Sequence, residues 1–427
     1  MSQGELVFNP FSSRLSAKSL LILCMLLYAL LEFYTISYSL NTYAFLGATA
    51  LCLVFVLAFP RQSILDEVNT PSVLYLTSLA AYAAISYFWA INKPETHYYS
   101  TLLLRNALIF IMFSALFRDQ AIRHKIHYLF TLVLIAYLLT ALWEITTKQH
   151  LPVSKLYGKD SFVPTGPFYG ENLLAAFILP LLPYLIFLPK VLPGKLTRVF
   201  SQLLSLACLL IVTLQGARIA LLAVAAMLVW LAVWHASWKS RLLSILLVAL
   251  LGSALSFFAG PFMRLGIAIA RREIVSLSSE QVSSRLSSMQ IRRQLITESL
   301  EILESSHFFG VGAGNFERHM DTDRLYRTAG IINPHNYFLE LMGNFGLVFL
   351  LFFLFLYGRW LYWLYLAYRQ STNVQTKYYY LMHLVSLLMF IPAASMPSSI
   401  KWNHHIWIMF ALYDRIANPV NWRKELA

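Results

Sequence analysis

Long apolar runs follow one another along most of the chain, separated by short polar segments. A run of roughly 17–25 apolar residues is long enough for a helix to cross a bilayer. The pattern predicts about twelve such spans, near residues 20–37, 43–59, 73–90, 100–117, 128–145, 172–188, 199–215, 218–235, 242–258, 337–357, 378–394 and 402–417. We therefore expect an all-α polytopic membrane protein.

The composition supports this class and excludes several others. Hydrophobic residues make up 58% of the chain, charged residues only 12%, and the mean hydropathy is +0.61, whereas soluble domains carry about 25% charged residues. The net charge of +13 is attributed to basic residues that orient the protein in the membrane and to recognition of an anionic substrate, rather than to nucleic-acid binding. All three cysteines (Cys24, Cys52 and Cys208) lie inside apolar runs, so we expect neither a disulfide framework nor a zinc site.

The placement of basic residues predicts the orientation of the spans. The short loops on one side hold only Lys93, Lys148, Lys155, Lys159 and Lys401, whereas the other side is rich in lysine and arginine. Basic loops stay in the cytoplasm, so both termini are predicted to be cytoplasmic. This topology divides the chain into transmembrane helices one to nine (1–258), a large outer loop between the ninth and tenth helices (259–335), and helices ten to twelve (336–427). A second long outer segment runs from about 146 to 171.

The large outer loop carries arginines but no lysine. A guanidinium can bind two phosphate or carboxylate oxygens at once, so arginine without lysine indicates recognition of such groups. Pairing of these arginines with the acidic residues of the loop is the alternative. Residues 283–306 have helical apolar spacing, which would place Arg285 and Arg292 on one face. The glycines that follow, at 310, 312 and 314, predict a turn that needs backbone freedom.

His335 lies immediately before the tenth predicted span, between Pro334 and Asn336. A neutral imidazole can accept a proton near pH 7, so a histidine here is a candidate general base. Pro334 would make the approach rigid, and Asn336 could orient the ring. The alternative is a solvated or helix-capping histidine without a chemical role.

Four stretches together resemble the O-antigen ligase and polymerase superfamily. HNYFLELMGNFGL fits the family pattern of His-Asn, an apolar residue four positions on and Gly346, although Phe349 stands where the family often has a second glycine. GPFYGENLLAAFILPLLP resembles the segment in which an asparagine, here Asn172, opens a helix. LQGARIALLAV resembles the Ser-Arg segment, with Ala217 in place of serine before Arg218. ESLEILESSHFFGVGAGNF resembles the segment that closes the periplasmic loop.

The resemblance implies an all-helical membrane bundle with a periplasmic helical loop above a lipid-facing cavity. It implies inverting transfer of an O-antigen polysaccharide from undecaprenyl diphosphate to a sugar hydroxyl of lipid A–core, on the periplasmic face of the bacterial inner membrane. By the same resemblance, His335 is the base, Arg218 contacts phosphate, and Asn336 lies at the substrate. A second phosphate-binding arginine falls on either Arg285 or Arg292, since the register is ambiguous. No metal ion or cofactor is expected.

Two alternatives remain open. A polymerase would use the same donor and the same residues while lengthening the glycan on its carrier, so these motifs do not separate it from a ligase. A transporter for a lipid-linked glycan would instead need charged residues deep in several spans, or helices broken at mid-membrane. Glu32 and Arg105 are the clear candidates for such charges, and the sequence indicates a partner for neither.

Overall fold

The computed structural model describes residues 17–34, 70–235, 288–322, 330–396 and 405–418, together with single positions at 43, 46, 47 and 50. Every regular element in these ranges is a helix: α1 (Ala17–Phe33), α2 (Pro71–Ile85), α3 (Lys93–Leu116), α4 (Gln120–Thr147), α5 (Glu171–Ile186), the short α6 (Leu188–Val191), α7 (Lys195–Leu214), α8 (Arg218–His235), α9 (Ser288–Ser305), α10 (Phe316–Thr322), α11 (Tyr337–Gln370), α12 (Val374–Ala393) and α13 (His405–Ile416), with a 3₁₀ turn at Ser86–Phe88. The prediction of an all-α fold is confirmed for these ranges.

Five of the described helical stretches are long and apolar enough to cross a membrane: Lys93–Leu116, Gln120–Thr147, Asn172–Val191, Lys195–Leu214 and Tyr337–Gln370. The predicted spans at 43–59 and 242–258 lie outside the described residues, apart from the single positions. The count of twelve spans and the placement of the large loop between the ninth and tenth spans stay predictions.

Polar residues at the N-terminal caps mark where several of these helices begin. A side-chain oxygen at each cap accepts a hydrogen bond from a backbone N–H in the first turn, which satisfies a donor that the helix itself leaves unpaired. The caps of this kind are Thr70, Asn92, Asp119, Asn336 and Asn373.

Helices α5 and α12 pack side by side in opposite directions at the centre of the bundle. The Ser386 hydroxyl donates to the carbonyl of Pro180, and the Tyr184 hydroxyl lies 2.7 Å from Nδ1 of His383. These two contacts pair later residues of α5 with earlier residues of α12, so the start of α5 lies at the same end as the end of α12. The backbone N–H of Tyr337, at the start of α11, donates to the Ala394 carbonyl at 2.8 Å.

Helix α11 is broken at Gly346, where φ is 83° and ψ is 179°. The break frees backbone groups that the turn after α9 then pairs: Val311 and Gly312 donate N–H bonds of 2.9 and 3.0 Å to carbonyls of α11, and the Leu347 N–H donates to the Phe308 carbonyl at 2.9 Å. A Cβ on Gly310 would lie 2.5 Å from the Gly346 nitrogen. Glycine is therefore required at this crossing.

The predicted glycine turn is confirmed, because Gly310, Gly312 and Gly314 all have positive φ, at 81°, 96° and 75°. The predicted helix over 283–306 corresponds to α9, Ser288–Ser305, and its expected first residues lie outside the described part of the chain.

The segments predicted to face outward meet at one end of the bundle, called the outer end below. The N–H of Ala313 donates to the Ser86 hydroxyl at 3.0 Å, and the N–H of Asn92 donates to Oδ1 of Asn315 at 2.7 Å. The short segment between α2 and α3 is thereby joined to the turn that follows α9.

The sequence indicated a partner for neither Glu32 nor Arg105, and the structure pairs them with each other. The Arg105 guanidinium donates to the Glu32 carboxylate, and the two side chains are 12% and 1% exposed. Two isolated charges in the sequence are thus one buried ion pair between α1 and α3.

Candidate functional site

His335 has an unusual backbone conformation at the mouth of α11. Its φ is +49°, in the left-handed region that costs energy for any residue other than glycine. The buried Pro334 precedes it. The backbone N–H of His335 donates to Oδ1 of Asn333 at 2.9 Å. Nδ2 of Asn333 in turn donates to the Glu317 carboxylate of α10 at 2.6 Å. Strained residues of this kind persist where the surroundings over-determine them, often at functional sites.

Asn336 starts the helix that follows. Its Oδ1 accepts from the N–H groups of Phe338 and Leu339 at 2.9 and 3.2 Å, and its Nδ2 donates to the Ser395 hydroxyl at 3.4 Å. The side chain therefore caps α11 and ties it to the end of α12. This capping fixes the direction in which the chain leaves His335, whereas the predicted contact of Asn336 with the substrate or the imidazole ring stays a prediction.

The surroundings of His335 lower the pKa of its imidazole below the usual 6.5. Burial is the largest cause, because removal from water disfavours the charged ring. The positive charge of Arg292 on α9 is the next cause, and that of Lys155 acts in the same direction, whereas the Glu317 carboxylate opposes them. At neutral pH the ring is therefore predominantly the neutral form, which can accept a proton.

Arg292 is thus one of the predicted arginines that the structure brings close enough to influence His335 electrostatically. Arg285, the other candidate for the loop arginine, lies outside the described residues. The choice between the two registers therefore stays open, and Arg292 is the candidate whose position the structure describes.

Arg218 lies at the same outer end of the bundle. It is the exposed first residue of α8 and follows Gly216, whose φ of +65° turns the chain between α7 and α8. Just before this turn, Nε2 of Gln215 donates to the carbonyl of Pro164 at 3.0 Å. Arg218 is not among the charges that act on the His335 pKa in the described part of the chain.

A buried glutamate organises the long outer segment between α4 and α5, which the sequence did not indicate. Glu144 is fully buried and accepts the N–H groups of Thr165 and Gly166 at 2.8 and 2.7 Å and the Thr165 hydroxyl at 2.8 Å. Nδ1 of His150 lies 3.0 Å from the same carboxylate, and its Nε2 lies 3.1 Å from the Ser161 carbonyl. One carboxylate therefore holds both halves of this segment.

The organised segment presents Lys155 at the start of α5. The Lys155 N–H donates to the Tyr169 carbonyl at 2.8 Å, and the neighbouring Ser154 hydroxyl is 2.9 Å from that of Thr165. Nζ of Lys155 lies 3.9 Å from the position that a Cβ on Gly170 would occupy. In the sequence, Lys155 stands out only as one of the few basic residues of the outer loops. Its position shortly before the GPFYGEN motif was the available signal that it lies near His335.

Comparison with known proteins agrees with this picture. Residues 203–354 match the family model described as O-antigen ligase. Over 359 residues the chain is 23% identical to the teichuronic acid biosynthesis protein TuaE of Bacillus subtilis (strain 168), covering 83% of this chain and 73% of that protein. Both comparisons support a relationship to the O-antigen ligase superfamily.

The matched family model, the relative and the apolar helices together support a multi-pass membrane protein of polysaccharide biosynthesis with ligase- or polymerase-type glycosyl transfer. The matched range includes Arg218, Arg292 and His335 but excludes Glu144 and Lys155. Of the last two, Lys155 is brought close enough by the fold to act on the pKa of His335.

The carboxylates of the outer end serve contacts within the protein. Within the described ranges, no group of three or more His, Cys, Asp or Glu side chains is arranged to hold a metal ion. Asp321 lies 3.5 Å from the Arg318 guanidinium, and Asp323 lies outside those ranges. At His335 itself, the structure brings together an imidazole with a lowered pKa and the positive charges of Arg292 and Lys155.

Proposed function

We propose that this protein is an O-antigen ligase that transfers a glycan from undecaprenyl diphosphate to a sugar hydroxyl of lipid A–core. The observation that carries the proposal is the environment of His335, a strained histidine at the mouth of a membrane helix, beside Arg292 and Lys155 and with a lowered pKa. We place the site on the periplasmic face of the bacterial inner membrane, because the segments predicted to face outward meet there.

The chemistry requires a base and a stabilised leaving group. The acceptor hydroxyl attacks the anomeric carbon of the first sugar as its proton passes to Nδ1 or Nε2 of His335. The bond between that carbon and the diphosphate oxygen breaks, and undecaprenyl diphosphate leaves with the electron pair. A single displacement of this kind inverts the anomeric configuration.

The leaving diphosphate gains negative charge as the bond breaks, and positive groups fixed in advance lower the energy of that transition state. Arg292 stands nearest to this role, because its charge already acts on His335. Arg218, exposed at the same end, is the second candidate, and Arg285 keeps this role as a prediction from the family motif.

A glycan polymerase is the second candidate function. It is favoured by the relative TuaE, whose name refers to teichuronic acid biosynthesis rather than to O antigen. A polymerase would use the same donor, base and arginines, with another lipid-linked glycan as the acceptor.

A transporter is less well supported. Helix α11 is broken, as in many transporters, but the turn after α9 pairs the backbone groups of Gly343, Asn344 and Leu347 that the break frees. The buried charges Glu32 and Arg105 are likewise paired with each other.

Deletion of the gene, followed by lipopolysaccharide gels and analysis of lipid-linked glycans, tests the acceptor. Loss of a ligase leaves polymerised glycan on undecaprenyl diphosphate and lipid A–core without a cap. A band of core carrying a single repeat unit would instead show a polymerase and overturn the ligase proposal while leaving the role of His335 intact.

A further inference from the structure

A cavity of about 570 Å³ opens at the outer end, apart from His335. Its walls include Tyr82, Trp89 and Ile91 from the segment around the α2–α3 connection, His307 and Phe309 from the turn after α9, and His319 from α10. Its volume falls within the range of roughly 300–1,000 Å³ that is typical of small-molecule sites.

The cavity and His335 lie on different sides of the short helix α10. Glu317 reaches Asn333 beside His335, whereas His319, two residues later, lines the cavity. Each residue of a helix advances by about 100°, so positions two apart project in nearly opposite directions. The cavity is therefore a separate surface from the one on which the proposed transfer occurs.

The walls of the cavity are fixed by hydrogen bonds between distant parts of the chain. The Tyr82 hydroxyl donates to the Phe309 carbonyl, and the Tyr82 and Trp89 rings meet edge to face with centroids 5.6 Å apart. Nδ2 of Asn315 donates to the Thr96 hydroxyl at 2.7 Å just behind this wall. The shape of the cavity is thus set by the fold before any ligand arrives.

The turn that forms one wall is strained. His307 and Phe308 are consecutive non-glycine residues with positive φ, at 52° and 66°. Backbone N–H bonds of 2.9 Å from these two residues to the carbonyls of Glu304 and Leu303 hold the conformation. Glycine would adopt these angles without cost, so a histidine at this position points to a use for its side chain.

The chemistry of the lining selects a saccharide. Trp89 and Phe309 expose 47% and 66% of their surface, which leaves flat apolar faces available to the C–H face of a sugar ring. Two imidazoles beside them supply hydrogen-bonding groups for sugar hydroxyls. An acyl chain would leave these imidazoles facing hydrocarbon, which is unfavourable.

We infer that this cavity binds a sugar unit of the glycan at a distance from the scissile bond. The inference rests on the proposed glycosyl transfer only in naming the substrate glycan as the source of that sugar. The site would hold the glycan chain while its lipid-linked end reaches His335. Two variants test it: Trp89→Ala removes an aromatic face, and His307→Gly removes an imidazole while relieving the left-handed strain.

The experiment measures binding without catalysis. The probe is a short soluble oligosaccharide released from the strain's own polysaccharide, free of lipid and phosphate, titrated against the full-length protein in nanodiscs by saturation-transfer NMR. Trp143→Ala is the matched control, since this tryptophan is 36% exposed near the outer end of α4 and does not line the cavity.

Wild type, Trp143→Ala and His335→Ala should bind the oligosaccharide equally, whereas Trp89→Ala and His307→Gly should bind it at least about tenfold more weakly, a difference of 1.4 kcal/mol. Equal binding by wild type and both cavity variants, or no binding by wild type, would overturn the inference. If wild type binds the oligosaccharide but transfers nothing from a lipid-linked donor, the proposed function fails while the saccharide site stands.

Discussion

Two histidines at the outer end, His150 and His335, differ in their surroundings, which suit a structural role for the first and the proposed role as base for the second. The ring of His150 is fully buried, with Nδ1 on the Glu144 carboxylate and Nε2 on the Ser161 carbonyl. His335 is half-buried, and within the described part of the chain its hydrogen bond is made by the backbone N–H rather than by the ring.

The difference lies in where the stabilising contacts fall. Around His150 the protein satisfies both ring nitrogens, which leaves no capacity for a substrate. Around His335 the hydrogen bonds are made to the main chain, by the side chains of Asn333 and of the cap residue Asn336. These bonds hold the backbone in its strained conformation. A fixed backbone with an available ring is what a general base requires.

The largest effect should follow removal of the His335 ring. We expect His335→Ala and His335→Gly each to lower the rate of glycan transfer by about 10²–10⁴-fold, the usual contribution of a general base. Single-turnover assays with lipid-linked donor check this.

Stability provides the control for these two variants. Glycine accepts the φ of +49° without strain, so His335→Gly should unfold at a temperature equal to or above that of His335→Ala. An active, well-folded His335→Gly protein would remove His335 as the base.

The opposite behaviour is expected at the other histidine. His150→Ala and Glu144→Ala each leave a buried polar partner unsatisfied, so each should lower the free energy of unfolding by about 3–5 kcal/mol. Thermal unfolding in detergent measures the loss.

Asp160→Asn is the matched control in the same segment. It breaks the Lys148–Asp160 pair, whose side chains are 55% and 76% exposed, and should change stability by less than about 1 kcal/mol. If Glu144→Ala were no less stable than Asp160→Asn, the Glu144 cluster would not be the element that holds this segment.

Substitutions at Arg292 and Arg293, two neighbouring arginines of α9, distinguish the effect of positive charge from that of guanidinium geometry. Arg292→Lys keeps a positive charge but loses the fork that can hold two phosphate oxygens, so transfer should fall about a hundredfold. Arg293→Lys changes the exposed neighbour and should leave the rate unchanged. Equal rates in both proteins would show that only positive charge matters at Arg292. The same exchange at Arg218 tests whether that residue also holds the diphosphate.

A smaller effect should appear in the pH dependence. Removing a positive charge allows the pKa of His335 to rise, so in Lys155→Met the loss of activity on acidification should begin at a higher pH than in wild type. Glu317→Gln removes the charge that raises this pKa and should shift the same loss to a lower pH.

Lys159→Met, in the same segment as Lys155, is the control for these profiles and should resemble wild type. Identical profiles for Lys155→Met and Lys159→Met would mean that Lys155 does not act on the base.

The sequence was sufficient where the determinants are local. Apolar length predicted the helices, three glycines predicted the turn, and the motif at His335 predicted the histidine that the fold holds at the mouth of α11. Contacts between residues far apart in sequence were not predictable. The Glu32–Arg105 pair joins two helices whose packing no local pattern specifies, and Lys155 approaches His335 only because Glu144 folds its segment back on itself.

The sequence also left Arg285 and Arg292 as alternatives. Both residues fit one helical face, so periodicity could not separate them. The position of α9 brings Arg292 close enough to act on the pKa of His335, and Arg285 lies outside the described residues.

The central claim is that His335 acts as a neutral base because burial and the charge of Arg292 hold its pKa down. The pH dependence of kcat/KM for the wild-type protein with lipid-linked donor tests it most directly, since the acid limb reports the essential base of the free enzyme. We expect activity to fall by half only below pH 6.5, the ordinary pKa of histidine. Loss of half of the activity at or above pH 6.5 would contradict the claim. So would the same loss on acidification in the residual activity of His335→Ala.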